Sequence, residues 1–438
     1  MDLLKDNVGK LYRKFFIASF GSALIACIYG LVDMAMVGQY HGPDGSAAMA
    51  VIAPIWNIIY SFGLLCGIGG SVIYAVARGE RDDVKAANGY FTSAFILGAI
   101  WALILWVLVW VCEEPLLRLF GANDALMPLC KEYMVAPKLT VPVYVFINLL
   151  SSFLRNDGDP GRATKAVIFG GIFNVFGDYF FVFTLDMGIK GAGIATAMGA
   201  SMSVLVMLTH FISKKNTLKF VKPLRILNSF KMISVNGFSS FIVDVAMGIA
   251  TMLFNRRVME YLGTDALAVY GVIVVVGTLV QCCSYGIGQA AQPVISRNFG
   301  AGLTDRIKTM LKYNIITAAV FGAIWTVLSM AMPQVFIKLF MTPTPEVLSI
   351  APGIIRIYAI SFILLPFNIY STYYFQAIMR AKISLIASVA RGIVISGALI
   401  LLLPVAFGGN AVWWAMPITE AVVFVYSAVM MKKVKLSR

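Results

Sequence analysis

Charge is what this sequence has least of. Of its 438 residues only 13% are Asp, Glu, Lys or Arg, about half the roughly 25% of a soluble domain, and this argues against a soluble globular chain. Residues 45–77, 86–112, 191–213, 266–296, 313–337 and 357–379 carry no charge at all. Each run is long enough to cross a bilayer, which takes about 20 apolar residues. Histidine is rarer still, with only His41 and His210. The six cysteines, Cys27, Cys66, Cys112, Cys130, Cys282 and Cys283, show no metal-ligand spacing, so no zinc cluster is expected. Four of them lie inside apolar runs and read as packing residues; Cys112 and Cys130 flank one short loop and would bridge only on an oxidising side. No GxxxxGK[ST] phosphate loop is present, which disfavours an ATP-driven pump. The first apolar run begins at Phe15 and is followed by ten or more others, so it reads as a membrane span and not as a cleaved signal.

With charged and turn-rich gaps as punctuation, twelve spans are predicted: 15–37, 47–77, 87–111, 126–154, 166–183, 191–212, 232–255, 266–296, 313–332, 346–379, 383–407 and 411–431. Lysine and arginine concentrate in cytoplasmic loops. Of the 35 present, 26 fall in the even-numbered gaps and the two termini, which predicts a multi-pass protein with both termini cytoplasmic. The formal charge of +14 follows from that topology; the basic loops are too short to form a nucleic-acid-binding domain.

The chain repeats itself at an offset near 220 residues. Gly67-Ile68-Gly69, leading into Arg78-Gly79-Glu80-Arg81-Asp82-Asp83, is echoed by Gly286-Ile287-Gly288, leading into Arg297. Leu119-Phe120 is echoed by Leu339-Phe340, Tyr133 by Tyr358 and Pro142 by Pro366. Six spans per half place both copies in the same orientation. The expected fold is therefore an all-α integral membrane protein of two six-helix lobes, 1–212 and 232–438, related by a pseudo-two-fold axis along the membrane normal, with a cytoplasmic linker at 213–231. Repeated lobes that rock about a central site are the architecture of a transporter.

Four acids fall inside spans: Asp33, Asp178, Asp244 and Glu420. A charged carboxylate near mid-bilayer costs about 2.5–3.5 kcal/mol on insertion scales, so such groups usually serve ion or substrate handling. The bland alternative for any one of them is a structural acid paired with arginine or backbone donors. By helix rise, Asp33, Asp178 and Thr196 sit roughly 8–9 Å from the outer ends of spans 1, 5 and 6. Asn174 shares the face of Asp178 one turn away. Two carboxylates, an amide and a hydroxyl can thus converge in the first lobe, as ligands for Na⁺ or as an acceptor site for H⁺. Asp244 and Glu420, both near mid-depth, are candidates for a second-lobe site. Trp56, Tyr60, Tyr285, Phe367, Tyr370, Tyr373 and Tyr374 read either as packing or as a lining for flat organic cations.

Over essentially its whole length the chain resembles the multidrug and toxic compound extrusion (MATE) family, on its prokaryotic branch. The resemblance rests on Tyr29-Gly30-Leu31-Val32-Asp33 with Val37-Gly38, and on Phe153-Leu154-Arg155-Asn156-Asp157-Gly158. It rests also on Asn174 with Asp178, and on Gly286 to Pro293 leading to Asn298-Phe299-Gly300-Ala301-Gly302. It implies a twelve-helix antiporter of a bacterial or archaeal plasma membrane, without enzymatic activity and needing no cofactor beyond its coupling ion. Organic, commonly cationic compounds would leave in exchange for Na⁺ or H⁺, with membrane lipids and small substrates as the partners of a monomer. Its coupling residues would be Asp33, Asn174, Asp178 and Thr196, with no metal other than Na⁺ at that site. One departure is Ala18, where family members commonly carry a helix-bending proline. The nearest rival reading is a flippase for a lipid-linked precursor, which would favour a basic central cavity. An intramembrane prenyltransferase would need an Asp-rich metal motif, for which Asp82-Asp83 is only a short loop pair.

Overall fold

The computed structural model describes residues 2–81, 84–223, 225–341 and 343–436. The Asp82-Asp83 pair lies outside them. Among the described residues the secondary structure is helical and no strand occurs. Among the described residues, eleven helices are long and apolar enough to span a membrane. The longest, Ile226–Gly300, is broken at Gly263 (φ 79°, ψ −170°), so it counts as two spans and the total is twelve.

In chain order the spans are α1 (Val8–Gly42), α2 (Asp44–Glu80), α3 (Val84–Val111), α4 (Val135–Asn156), α5 (Pro160–Thr184) and α6 (Gly188–Ile212) in the first lobe. The second lobe holds α7 (226–262), α8 (264–300), α9 (Thr304–Ala331), α10 (Pro345–Ala377), α11 (Ala381–Phe407) and α12 (Gly409–Lys433). All twelve expected spans are present, most of them longer at both ends than their charge-free cores. The fourth differs in kind: 126–154 is a short helix, Met127–Tyr133, followed by α4. Short helices Glu113–Leu119 and Pro333–Phe340 precede the fourth spans of the two lobes at matching positions.

Each lobe opens with a pair of helices joined through one glycine. Gly42 has φ 64° and ψ −147°, and Gly263, 221 residues on, has almost the same geometry. Positive φ is cheap only without a Cβ, so the internal repeat extends to the backbone break itself.

Apolar faces point outward where hydrocarbon would bathe them. On α3, Ile100, Leu103, Val107 and Val111 form one exposed stripe at helical spacing, as do Ile316, Val320, Ile324 and Val327 on α9. The lobes meet along α1, α2, α7 and α8, at the end of the bundle that carries the chain termini. There Asn298 donates to the Leu3 carbonyl at 3.1 Å and Arg306 to the Asp6 carbonyl at 2.6 Å. Tyr12 stacks on Tyr313 with centroids 5.4 Å apart. The backbones almost touch: a Cβ on Gly79 would lie 2.1 Å from the Arg297 carbonyl oxygen, and one on Gly300 would lie 2.0 Å from that of Val76. Higher up, Phe62 meets Phe241 at mid-depth. Among the described residues, inter-lobe hydrogen bonds and ring contacts reach from the terminal end to about that level and no further.

Between α6 and α7 the chain runs extended as a strap laid on the first lobe. The Thr217 amide donates to Asp157 Oδ2 at 2.9 Å, and its hydroxyl bonds Asp157 Oδ1. Asn88 donates to the Thr217 carbonyl at 3.0 Å, and the Val221 amide donates to Thr92 at 3.0 Å. Buried His210 bridges Asp157 (2.8 Å) and Asp159 (3.3 Å). Asp159, which also meets Lys215 and Arg162, is desolvated by its burial, yet the attraction of Lys215 and Arg162 outweighs this and holds its carboxyl below the usual range.

Candidate functional site

The four residues singled out in the first lobe gather in one buried cluster. Asp33 comes from α1, Asn174 and Asp178 from α5, and Thr196 from α6, all at most 8% exposed. The Asn174 amide donates to Thr196 Oγ1 at 3.3 Å. Asp33 and Asp178 are electrostatic neighbours of one another, and Tyr144 lies within the electrostatic reach of both. The cluster lies deeper than span lengths implied, because α1 continues nine residues beyond Asp33, to Gly42. Local backbone shapes it too: immediately after Asp178 the helix widens into a π-turn, Tyr179–Thr184, a feature frequent at functional sites.

What sets the cluster apart is its unmet demand. Asp33 Oδ2 accepts from the Tyr133 hydroxyl at 3.0 Å. Asp33 Oδ1, Asn174 Oδ1 and both Asp178 oxygens are sealed from solvent with no donor. All four orphans are acceptors. Buried polar atoms are nearly always satisfied, and an acceptor-only set that includes two carboxylates suits a positive guest, a proton on one carboxylate or a hard cation held by several oxygens. Tyr133 was visible in the sequence only as one member of a repeat; its role as the donor to Asp33, 100 residues away, carries no local signal.

The second lobe arranges its acids separately. Asp244 Oδ1 accepts from the Tyr285 hydroxyl at 2.6 Å, which in turn accepts from Gln281 at 2.6 Å; Asp244 Oδ2 has no donor. Glu420, fully buried, is neutralised in place. Arg391 Nε donates to Oε1 at 2.8 Å and Asn368 donates to Oε2 at 2.6 Å. Among the described residues no hydrogen bond joins Asp244 to Glu420, and Glu420 takes the form of a structural acid paired with arginine. Arg391 lies in the π-turn Ala390–Val394 of α11, so the fifth helix of each lobe carries such a turn. Removing Arg391 alone leaves a buried carboxylate with the Asn368 hydrogen bond but no countercharge, at a cost of about 3–5 kcal/mol. Arg391→Met is therefore expected to lower the thermal midpoint sharply in a detergent-solubilised melting assay, and Arg391→Met with Glu420→Gln to recover most of it. Equal midpoints for the parent and the single variant would show that the pair is not structural.

Cys112 and Cys130 are both free thiols. Among the described residues no group of three or more His, Cys, Asp or Glu side chains is arranged to hold a metal ion. Of the aromatic residues, Tyr370, Tyr373 and Tyr374 are buried, whereas Trp56 packs at a tilt against Tyr144, with ring centroids 4.6 Å apart.

A family model described as MatE matches residues 18–180 and 236–401, once in each lobe. The chain is 24% identical over 426 residues to a multidrug export protein, MepA, of Staphylococcus haemolyticus (strain JCSC1435), covering 95% of this chain and 92% of the relative. It is 23% identical to the protein of the same name from Staphylococcus saprophyticus subsp. saprophyticus, with the same coverage. In structure it superimposes on an outward-facing multidrug resistance MATE family transporter of the MOP superfamily with a TM-score of 0.89, at 22% identity, covering 98% of this chain and 97% of that one. Two matched lobes, twelve spans and an all-helical build lead to one conclusion: the chain belongs to the MatE family, and is a multi-pass membrane transporter, not an enzyme.

Proposed function

We propose that this transporter is a secondary antiporter that exports organic, commonly cationic compounds in exchange for Na⁺ or H⁺, with Asp33, Asn174, Asp178 and Thr196 as its coupling site. The observation that carries the reading is the set of four sealed acceptor oxygens without a donor. Buried carboxylates without a protein donor are costly, and a proton or sodium ion relieves the cost; the two place similar demands on the same oxygens. The MepA relatives are multidrug export proteins, which supports efflux of drug-like compounds as the direction of transport. Asp244, with its one unpartnered oxygen, is the candidate for a second-lobe cation contact.

Orientation follows from the basic residues, which crowd the end that bears both termini and so assign it to the cytoplasm. The contact of the lobes at that end supports an outward-facing conformation in a cell membrane. Coupling then requires the ion to bind the two conformations with different affinity, since only differential affinity can shift their populations. The test is export of a fluorescent organic cation from proteoliposomes, with a Na⁺ gradient and a pH gradient imposed separately. Export driven by one gradient is expected and names the ion; none under either gradient, in folded protein, overturns the antiport reading.

A further inference from the structure

Two neighbouring arginines stand at the end of the second lobe opposite the chain termini, against the trend of the basic residues. Arg257 and Arg256 lie six and seven residues before the Gly263 break that ends α7, roughly 9–10 Å below it. The internal repeat does not require them: the positions 221 residues earlier, in the register that relates Gly42 to Gly263, are Ala35 and Met36. With Leu253, Met259, Glu260 and Leu401 they line a groove of about 500 Å³ between α7 and α11. Leu401 is six residues from the end of α11, at a similar depth. The two helices touch below the groove, where a Cβ on Gly392 would lie 2.4 Å from that of Ala246. The head of α12 closes it above, where a Cβ on Gly409 would lie 2.9 Å from Leu262 Cδ2. Beside it, Met252 on α7 with Leu402 and Val405 on α11 are exposed apolar residues, the kind of surface that meets hydrocarbon.

Charge in the groove is unbalanced. Glu260 is held by Arg257, whose Nη1 donates to Oε2 at 2.7 Å, while Arg257 Nε is sealed and without a partner. Arg256 is exposed, and among the described residues it makes no ion pair or hydrogen bond. Two guanidinium groups against one carboxylate leave one net positive charge at the edge of the apolar belt, where arginine is costly unless it reaches water or an anion. A phosphodiester carries one negative charge and two free oxygens that match a guanidinium fork. We propose that the α7–α11 groove binds an anionic phospholipid of the outer leaflet, of the phosphatidylglycerol kind, with its phosphodiester on Arg256 and its acyl chains along Leu253, Met259 and Leu401. A zwitterionic lipid adds an ammonium that restores the excess charge, and a water-soluble phosphate leaves the apolar walls bare. The proposal takes only the choice of leaflet from the orientation given above and does not depend on antiport.

Lipid preference read beside the groove tests this apart from transport. In a background without native cysteines, Leu402→Cys carries a bimane fluorophore, and the full chain is reconstituted in phosphatidylcholine vesicles. Phosphatidylglycerol or phosphatidylethanolamine with brominated acyl chains, which quench on contact, is then added in increasing fraction. Half-quenching is expected at an at least about fivefold lower fraction of the glycerol lipid than of the ethanolamine lipid. Arg256→Gln, a change at an exposed side chain that spares the packing, is expected to bring the two curves together. Glu260→Gln, which frees Arg257, is expected to widen the gap. Lys338→Gln removes an exposed lysine of the short helix Pro333–Phe340, outside the groove, and is expected to leave the gap as it was. Equal curves in the parent, an undiminished gap in Arg256→Gln, a narrowed gap in Glu260→Gln, or a gap closed as far by Lys338→Gln overturns the site. Displacement of the brominated lipid by soluble glycerophosphoglycerol overturns the lipid as its occupant. A lipid preference found without gradient-driven export would leave the groove standing and remove the antiport reading alone.

Discussion

Asp178→Asn is expected to abolish gradient-driven export while leaving the protein as stable as its parent or more so. Both oxygens of Asp178 are sealed and accept no hydrogen bond from protein, and the side chain is fully buried. Removal of a negative charge that has no protein partner relieves a desolvation penalty. Asparagine has nearly the same shape, so packing is conserved. What the variant loses is the charge that draws a cation or takes a proton. Ion binding should weaken at least about tenfold, which is more than about 1.4 kcal/mol. The check combines export from proteoliposomes with a thermal melt of the same preparation. Normal export by the variant would remove Asp178 from the coupling site, and a collapsed melting temperature would make it a structural acid.

The second large effect concerns the closed end of the lobes. Gly79 and Gly300 sit where α2 and α8 cross, and the obstacle to any side chain there is backbone: the carbonyl oxygens of Arg297 and Val76 at 2.1 and 2.0 Å from the added carbon. A backbone atom cannot rotate aside. Gly300→Leu must therefore push the helices apart, costing about 1–3 kcal/mol or more, a penalty that falls only on the conformation closed at this end. A bias of that size changes a two-state population by a factor of about ten to a hundred. In a background without native cysteines, Ser296→Cys is buried in the parent and should resist a membrane-impermeant maleimide. Adding Gly300→Leu is expected to raise its labelling at least about tenfold and to depress export. Labelling and export both at the parental level would show that the crossing is not a gate.

Much of the architecture could be read from sequence, for a physical reason. Charge is so costly in hydrocarbon that its absence marks a span directly, and both lobes announce themselves through echoed glycines. The precise helix joints could not be read. His41-Gly42-Pro43-Asp44 looks like a loop, yet helix continues on both sides of one twisted glycine. Asp33, Asn174, Asp178 and Thr196 were legible as a cluster because depth and helical spacing place them, whereas the Tyr133 donor was not, since an aromatic residue in a short helix carries no periodic signal. Glu420 looked like Asp244 by depth alone. Only tertiary packing brings Arg391 and Asn368 against it and separates the two roles.

The strap between the lobes fixes an order of events in synthesis. Its partners Asn88, Thr92, Asp157 and Asp159 all precede it in the chain. Every bond that fastens residues 215–221 can form as soon as residue 221 leaves the ribosome. The remaining half takes roughly 10–40 s more to make at about 5–20 residues per second. The first lobe is thus bound up at its exit before its twin exists, and the second inserts beside a partner already complete.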